Sequence, residues 1–457
     1  MGDRSHAAQL YNAGVAAINA HDNPQRLQHA FQCFVSACYA DPLFGQALYQ
    51  AGNNASDLNQ LQTAIACYRR ALECETTKEE RAKIHCNLGW RLHSLGYTDE
   101  AFKHSMVAIE LEPQLVYGWL NLSLIYGMLG KPDQGVVAAR KAFDLAPTDP
   151  VVEMALAFAL LFNHEFAEGL KHFEARFRYK LKNFLSYPYP AWDGTPDKTI
   201  FLVADQGLGD TLCYARFVEA ACKKSRYVHA CVQPELMRLF SHAFMHIPNL
   251  NLMPSPANFP QADYWSTFVS LPHALGLTDQ EIRDAKHIEA PVFGIQKSWK
   301  VPDRRLHIGI AWGGSPLNEI NEHRSIPVTR FLDLYKTPGI QLYSLQVDTS
   351  KQQLGDNGCT ALVRDLSGYI SDVTDTVAIL RELDLVITVE SALGHICALA
   401  DKETWIPYSY QGRDYRLGLD GTDRLWCPKT RVFPQGPFEP WEKVFDRINE
   451  ALGERVR

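Results

Sequence analysis

Compared with itself at a shift of 34 residues, the first third of this chain coincides at one position after another. Leu88 falls on Leu122, Leu95 on Leu129, Gly96 on Gly130, Ala108 on Ala142 and Pro113 on Pro147. Upstream, Ala30 falls on Ala64 and Ala37 on Ala71. No other feature limits the possible folds so sharply. A period of this length holds two helices, and neither buries its apolar face alone, so consecutive copies must stack. Alanines let paired helices approach closely, and a proline stops the second helix before the next copy begins.

Small residues at the crossings, a glycine at mid-repeat and a terminal proline form the signature of the tetratricopeptide repeat. Repeats are expected at about 46–79, 80–113, 114–147 and 148–180, with a degenerate copy before them. The last, VVEMALAFALLFNHEFAEGLKHFEARFRYK, keeps the apolar pattern but lacks the closing proline. Such arrays form curved surfaces that hold a peptide or another protein; the alternative is that they only cap and brace the rest of the chain. Nothing in the array has a catalytic pattern.

With 457 residues, 46% of them hydrophobic and 21% charged, the chain has the composition of a soluble protein of two or three domains. Its net charge of −7 argues against nucleic acid or an anionic membrane as partner, because both select basic surfaces. The opening MGDRSHAAQLYNAG has no basic stretch followed by an apolar core, so no secretion signal is expected. The longest apolar run, MALAFALLF from Met154, falls well short of the roughly 20 residues that span a bilayer. Eleven cysteines are scattered without CxxC spacing, and Cys33, Cys38, Cys67, Cys74 and Cys86 sit inside helical patterns as small hydrophobes. A reducing, cytoplasmic location is the expectation.

After the proline- and aromatic-rich NFLSYPYPAWDGTPDK the periodicity changes. TIFLVA, YVHACV, NLNLMP and DYWSTFVSL read as strands separated by helical patterns. The pattern breaks near 295–305 and restarts with LHIGIAW, IQLYSLQV, LDLVITV and ETWIPY, closing on a helix at PWEKVFDRINEAL. Strands alternating with helices predict parallel sheets covered on both faces, here as two lobes. The expected domains are a repeat array over 1–180, a linker over 181–198, a first lobe over 199–300 and a second over 301–457. Ligands in such sheets bind beyond the carboxyl ends of strands.

Three strand ends carry unusual residues. The first, DQGLGD, has Gly207 and Gly209, which admit close backbone approach and φ values closed to other residues, and Asp210 at a helix entrance. That entrance suits an anion, and Asp210 either caps the helix or projects into a cleft. The loop has neither the Walker A ending nor the GxGxxG fingerprint. The second, AWGGSPLNEINEHRSIP, opens the backbone at Gly313 and Gly314. It offers Arg324, next to Ser325, as a planar fork for phosphate oxygens, or as a merely solvated loop residue. The third, LDLVITVESALGHICALA, ends a strand at Val389 and starts a helix with Glu390, Ser391 and Ala392. Glu390 is placed to accept from a sugar or ribose hydroxyl. His395 either donates to a phosphate or packs within the protein.

The run from Glu165 to Trp441 resembles the bacterial tetratricopeptide-linked glycosyltransferases, relatives of the heptosyltransferases with a GT-B fold. The matching pieces are FEARFRY, PAWDGTP, DQGLGDTLCYARF, IAWGGSP, HRSIP, YSLQ, DTVAILRELDLVITVESALGHICALA, RDYR and LWCPKTRVFPQ, in that order. The joining of repeats to such an enzyme is also similar to the O-linked N-acetylglucosamine transferases. The fold this implies is multidomain: an all-α tetratricopeptide superhelix followed by an α/β GT-B fold of two Rossmann-like lobes.

The resemblance implies an inverting, metal-independent sugar transfer from a nucleotide-sugar donor to a hydroxyl-bearing acceptor, with no cofactor and no metal. The acceptor is a protein or peptide captured by the repeats, or a glycan. Asp210 is the implied catalytic base, and Gln206, Gly207, Gly209 and Thr211 form the acceptor-side loop. Arg324 and Ser325 meet the donor diphosphate, together with Gly313, Gly314 and backbone N–H groups near Ser391 and Ala392. Gln346 lies near the nucleoside, His395 near the phosphates, and Asp414 of RDYR in the donor segment. This chain departs from the family at Asp205, where Glu is usual, and at Glu390-Ser391, where Asp-Thr is usual. It also has Asn318 and Asn321 where the family has a histidine and an aspartate. The competing expectation is a non-catalytic repeat scaffold carrying a decayed GT-B unit. A nucleic-acid glucosyltransferase conflicts with the acidic charge.

Overall fold

The computed structural model describes residues 3–179, 187–254, 259–291, 299–300, 303–316, 321–418 and 426–456. The start of the expected linker, Asn318 and much of the expected break at 295–305 lie outside these residues. The chain forms two compact units, Met1–Asn163 and His164–Arg457.

The first unit is helical throughout its described residues. Its elements are α1 (Arg4–Ile18), α2 (Arg26–Ala40), α3 (Gly45–Asp57), α4 (Leu61–Leu72), α5 (Lys78–Ser94), α6 (Thr98–Leu111), α7 (Val116–Met128), α8 (Pro132–Leu145) and α9 (Pro150–Phe162). Pairs α1–α2, α3–α4, α5–α6 and α7–α8 pack as hairpins. The last three fill the windows 46–79, 80–113 and 114–147. Ala64, Ala71, Ala101 and Ala108 at the crossings are fully buried. The turn inside a hairpin needs the left-handed region: Gly96 has φ 84° and Gly130 φ 68°, values glycine adopts without a Cβ penalty. Asn59 makes the same turn with φ 58°.

The sequence suggests one repeat over 148–180, whereas the units part after Asn163. Helix α9 packs on α8. The helix Phe166–Phe173 belongs to the second unit: Ala167 donates its N–H to Asp279 Oδ1 (2.7 Å), and Phe166 meets Trp426 edge-on with centroids 6.1 Å apart.

The second unit contains two parallel sheets. In the first, β1 (Thr199–Val203), β2 (Tyr227–Cys231), β3 (Leu250–Met253) and β4 (Tyr264–Thr267) lie in the order β3-β2-β1-β4. In the second, β5 (Leu306–Ala311), β6 (Ile340–Ser344), β7 (Val363–Asp365), β8 (Leu385–Thr388), β9 (Thr404–Tyr408) and β10 (Thr430–Pro434) lie in the order β10-β9-β8-β5-β6-β7. Every pairing is parallel. The second order is that of a doubly wound dinucleotide-type sheet. Central strands are buried along nearly their whole length, as sheets covered on both faces require. The helix Trp441–Val456 closes the second lobe through Val444, Phe445, Ile448 and Leu452. The winding of the chain across each sheet reverses between β1 and β4 and between β5 and β8. These two switch points open at the carboxyl ends of the strands, where the three unusual loops sit.

Candidate functional site

Asp210 occupies the first turn of the helix Leu208–Tyr214, which follows β1. Its Oδ2 accepts the Gly207 N–H at 3.1 Å, so it caps the helix as one of the two sequence readings allows. Its Oδ1 faces the other lobe and accepts from Arg416 Nη1 at 2.7 Å. Arg416 is buried; its Nε bridges both oxygens of Asp414 at 2.9 and 3.0 Å, and Nη2 adds a further bond to Oδ2. One guanidinium therefore ties a carboxylate of each lobe. Burial raises the Asp210 carboxyl above its ordinary value, with Arg416 pulling the other way. Burial also pushes Asp414 up, but the charge and hydrogen bonds of Arg416 outweigh it and leave Asp414 below its ordinary value.

Beside this trio stands a second buried pair. Arg324 Nη1 donates to Glu390 Oε2 at 2.6 Å. Burial, then the nearby Asp414 charge, raises Glu390, and Arg324 opposes them. Arg324 Nε has no hydrogen-bond partner among the described residues, and Gly314 lies directly against that guanidinium. Leaving a charged N–H buried and unpaired is costly. Ser325 Oγ bonds Asn321 Oδ1 at 3.1 Å.

Gln346, expected beside a nucleoside, and His395, expected near phosphates, both make contacts within the protein. Gln346 Oε1 accepts from the N–H groups of Trp312 and Gly313 (3.0 and 3.1 Å), and its Nε2 donates to Gly313 O and Asp348 Oδ1. Those bonds pin the loop after β5. His395 is buried with Nδ1 3.4 Å from Cys213 Sγ and 4.0 Å from Cys427 Sγ, and burial lowers it to about 3, so it is neutral and packed.

Gly207 and Gly209 have no positive φ, so their predicted unusual backbone is absent. Gly209 serves close approach instead: a Cβ there would lie 2.8 Å from His395 Cδ2 and 3.2 Å from Ala392 Cα. It lets the helix Leu208–Tyr214 cross the helix Ala392–Leu399. Ser391 precedes that second helix, with Oγ 3.5 Å from Thr388 Oγ1. Thr211 is buried, and Gln233 Nε2 donates to its Oγ1 (3.0 Å) and to Gln206 O (3.3 Å).

Two arginines escape the sequence reading. Arg416 is the second arginine of RDYR, and its aspartate two residues earlier was the available signal. Arg176 lies within FEARFRY. All its donors are used: Nε to Asp205 Oδ2 (3.0 Å), Nη1 to Phe173 O and Glu174, Nη2 to Thr267 and Ser270. It thus ties the ends of β1 and β4, with Phe177 stacked 4.0 Å away. Among the described residues, no group of three or more His, Cys, Asp or Glu side chains is arranged to hold a metal ion.

A sequence model of the tetratricopeptide repeat matches residues 45–75, which is the α3–α4 hairpin. No curated protein matches the chain. Solved structures similar to it include MamA from Desulfovibrio magneticus RS-1, at 17% identity over 40% of this chain and 99% of that one, with a TM-score of 0.34. A tetratricopeptide protein of Thermus thermophilus follows at 20% identity, covering 39% and 93%, TM-score 0.33. PilF of Pseudomonas aeruginosa has 19% identity, covering 38% and 76%, TM-score 0.33. The chain therefore joins a tetratricopeptide-like helical unit to an α/β unit with two parallel sheets. Among the described residues no helix is long and apolar enough to cross a membrane.

Proposed function

We propose that the second unit is a glycosyltransferase of the GT-B class, transferring a sugar from a nucleotide-sugar donor to a hydroxyl of a protein or glycan acceptor. The observation that carries this reading is the meeting of the lobes at their strand ends, where Asp210 of one lies 2.7 Å from Arg416 of the other. In the proposed reaction the acceptor hydroxyl gives its proton to Asp210 while its oxygen bonds the anomeric carbon. The bond from that carbon to the diphosphate breaks, and the electron pair leaves with the nucleoside diphosphate. The guanidinium of Arg324 and the N-terminus of the helix Ala392–Leu399 meet the departing charge. A positioned base contributes roughly 10²- to 10⁴-fold. A raised carboxyl is better matched to taking a proton near neutrality than an ordinary aspartate.

The test has two arms. One nucleotide sugar from a panel of UDP-, GDP- and ADP-sugars should raise the thermal transition of the full chain, and a CMP-sugar, which carries no diphosphate, should not. Asp210→Asn should then lose about 10²-fold or more in turnover while keeping that protection. Undiminished turnover removes Asp210 from the chemistry.

One observation favours a second reading, a repeat scaffold without activity. Arg324 is already paired with Glu390 at 2.6 Å, in a site that departs from the family at Glu390. In that case no sugar nucleotide in the panel protects the chain.

A further inference from the structure

We infer that Arg416 is the positioning residue for Asp210, a guanidinium supplied by one lobe that holds the carboxylate of the other ionised and aimed. The inference rests on the glycosyltransferase reading for its chemical meaning, and on geometry for its substance. Asp210 sits on the helix after β1, and its two oxygens are shared between a backbone N–H of its own loop and Arg416. Arg416 is itself fixed from behind by three bonds to Asp414, whose backbone N–H and C=O are held by the Tyr408 hydroxyl at 2.7 and 3.1 Å. The side chain of Arg416 is 9% exposed and that of Asp210 28%, so solvent reaches the carboxylate from one side and weakens the pair only in part. A hydroxyl pair, Tyr214 with Tyr415 at 2.6 Å, braces the same crossing one residue away.

The charges around Asp210 give the arrangement a definite sign. Asp205 on its own loop and Asp414 across the cleft both oppose ionisation, and only Arg416 favours it among its principal charged neighbours. Glu390 and its partner Arg324 stand beyond Asp414. Cys213 lies on the same helix, and Arg216, Tyr415 and the neutral His395 complete the surroundings. Removing Arg416 therefore leaves burial and two like charges opposed only by the Gly207 N–H, so Asp210 binds its proton more tightly. Removing Asp414 does the reverse. It takes away a repelling charge and frees the guanidinium for Asp210 alone. Opposite shifts from two neighbouring residues are not what a merely structural defect produces.

The experiment compares Arg416→Gln, Arg416→Lys and Asp414→Asn in the full chain, each checked for a cooperative thermal transition. Two quantities are followed: the acid limb of kcat/KM, and the titration of the Asp210 carboxyl by ¹³C NMR, assigned with Asp210→Asn. Arg416→Gln should move both upward by about 1–3 pH units. Arg416→Lys should restore most of that shift while kcat stays about tenfold low, because an ammonium keeps the charge but not the fork. Asp414→Asn should move both downward. Unchanged titration in Arg416→Gln and Asp414→Asn overturns the inference, even if turnover falls. Opposite NMR shifts in a chain that transfers no sugar uphold the role of Arg416 and sink the glycosyltransferase reading instead.

Discussion

The two units are held together over very different distances along the chain. In the repeat unit, Asn87 Nδ2 donates to Asn53 Oδ1 and Gln46 Nε2 to Glu80 Oε1, each across 34 residues, and Asn121 reaches Cys86 across 35. Each of these contacts joins a hairpin to the next. In the α/β unit, Arg416 reaches Asp210 across 206 residues, Tyr415 reaches Tyr214 across 201, and Arg238 reaches Asp372 across 134. The first unit is built from neighbours, and the second from topology. A defect in the first should therefore stay local, while a defect at the lobe crossing of the second should reach both sheets and the site.

The sharpest way to break this contrast is Gly209→Val. A Cβ at that position would lie 2.8 Å from a buried imidazole carbon, His395 Cδ2, where something must shift, and in tight contact at 3.2 Å with Ala392 Cα. Overpacking of this kind costs about 3 kcal/mol, at the upper end of its usual range. Hydrogen exchange should rise in both crossing helices, Leu208–Tyr214 and Ala392–Leu399, and any sugar transfer should fall with it. Protection left intact in the second helix would mean that the crossing does not couple the lobes.

The matching perturbation of the repeat unit is Ala71→Leu. Ala71 is fully buried in α4 at a helix crossing, and the added methylenes should cost about 2 kcal/mol. Exchange should rise in α3, α4 and their immediate neighbours, with the α/β unit unchanged. A loss of protection spread over both units would refute the neighbour-built description.

The same contrast explains what the sequence disclosed. Periodicity is a local signal, so the hairpins and the recurrent mid-repeat glycine at Gly96 and Gly130 stood out by self-comparison. The buried strands β1, β5, β8 and β9 stood out as apolar runs. Strands β7 and β10 did not: they have no continuous apolar run, Val363–Asp365 burying one residue of three and Thr430–Pro434 two of five. At the site, the loops and Asp210 were legible because glycines and an acid at a strand end are conspicuous. Arg416 was hidden because its importance lies in a partner 206 residues away, which no spacing reveals. Gln346 and His395 were singled out for a ligand, and what no pattern disclosed is that Gln346 also bonds the protein's own loop and that His395 Nδ1 lies beside a thiol. A sequence shows which groups are polar, and only the fold shows which way they point.

The smallest expected effect gives the most delicate test of neighbour coupling. Thr77 Oγ1 accepts the Glu80 N–H at 3.1 Å, and Glu80 Oε2 accepts the Thr77 N–H at 3.0 Å, a reciprocal cap at the start of α5. Glu80 Oε1 also accepts from Gln46 of the preceding hairpin. Thr77→Ala should cost about 1 kcal/mol, read by denaturant unfolding of the repeat unit. The hydrogen bond from the Thr77 backbone, then that from Gln46, lowers the Glu80 carboxyl below its ordinary 4.5. Its contribution is therefore complete above that value and is lost as pH falls through the lowered one. Glu80→Gln should flatten this acid-side decline without changing the unfolding of the α/β unit. An equally steep decline in the variant would show that the cap and its link to Gln46 add nothing to the join between hairpins.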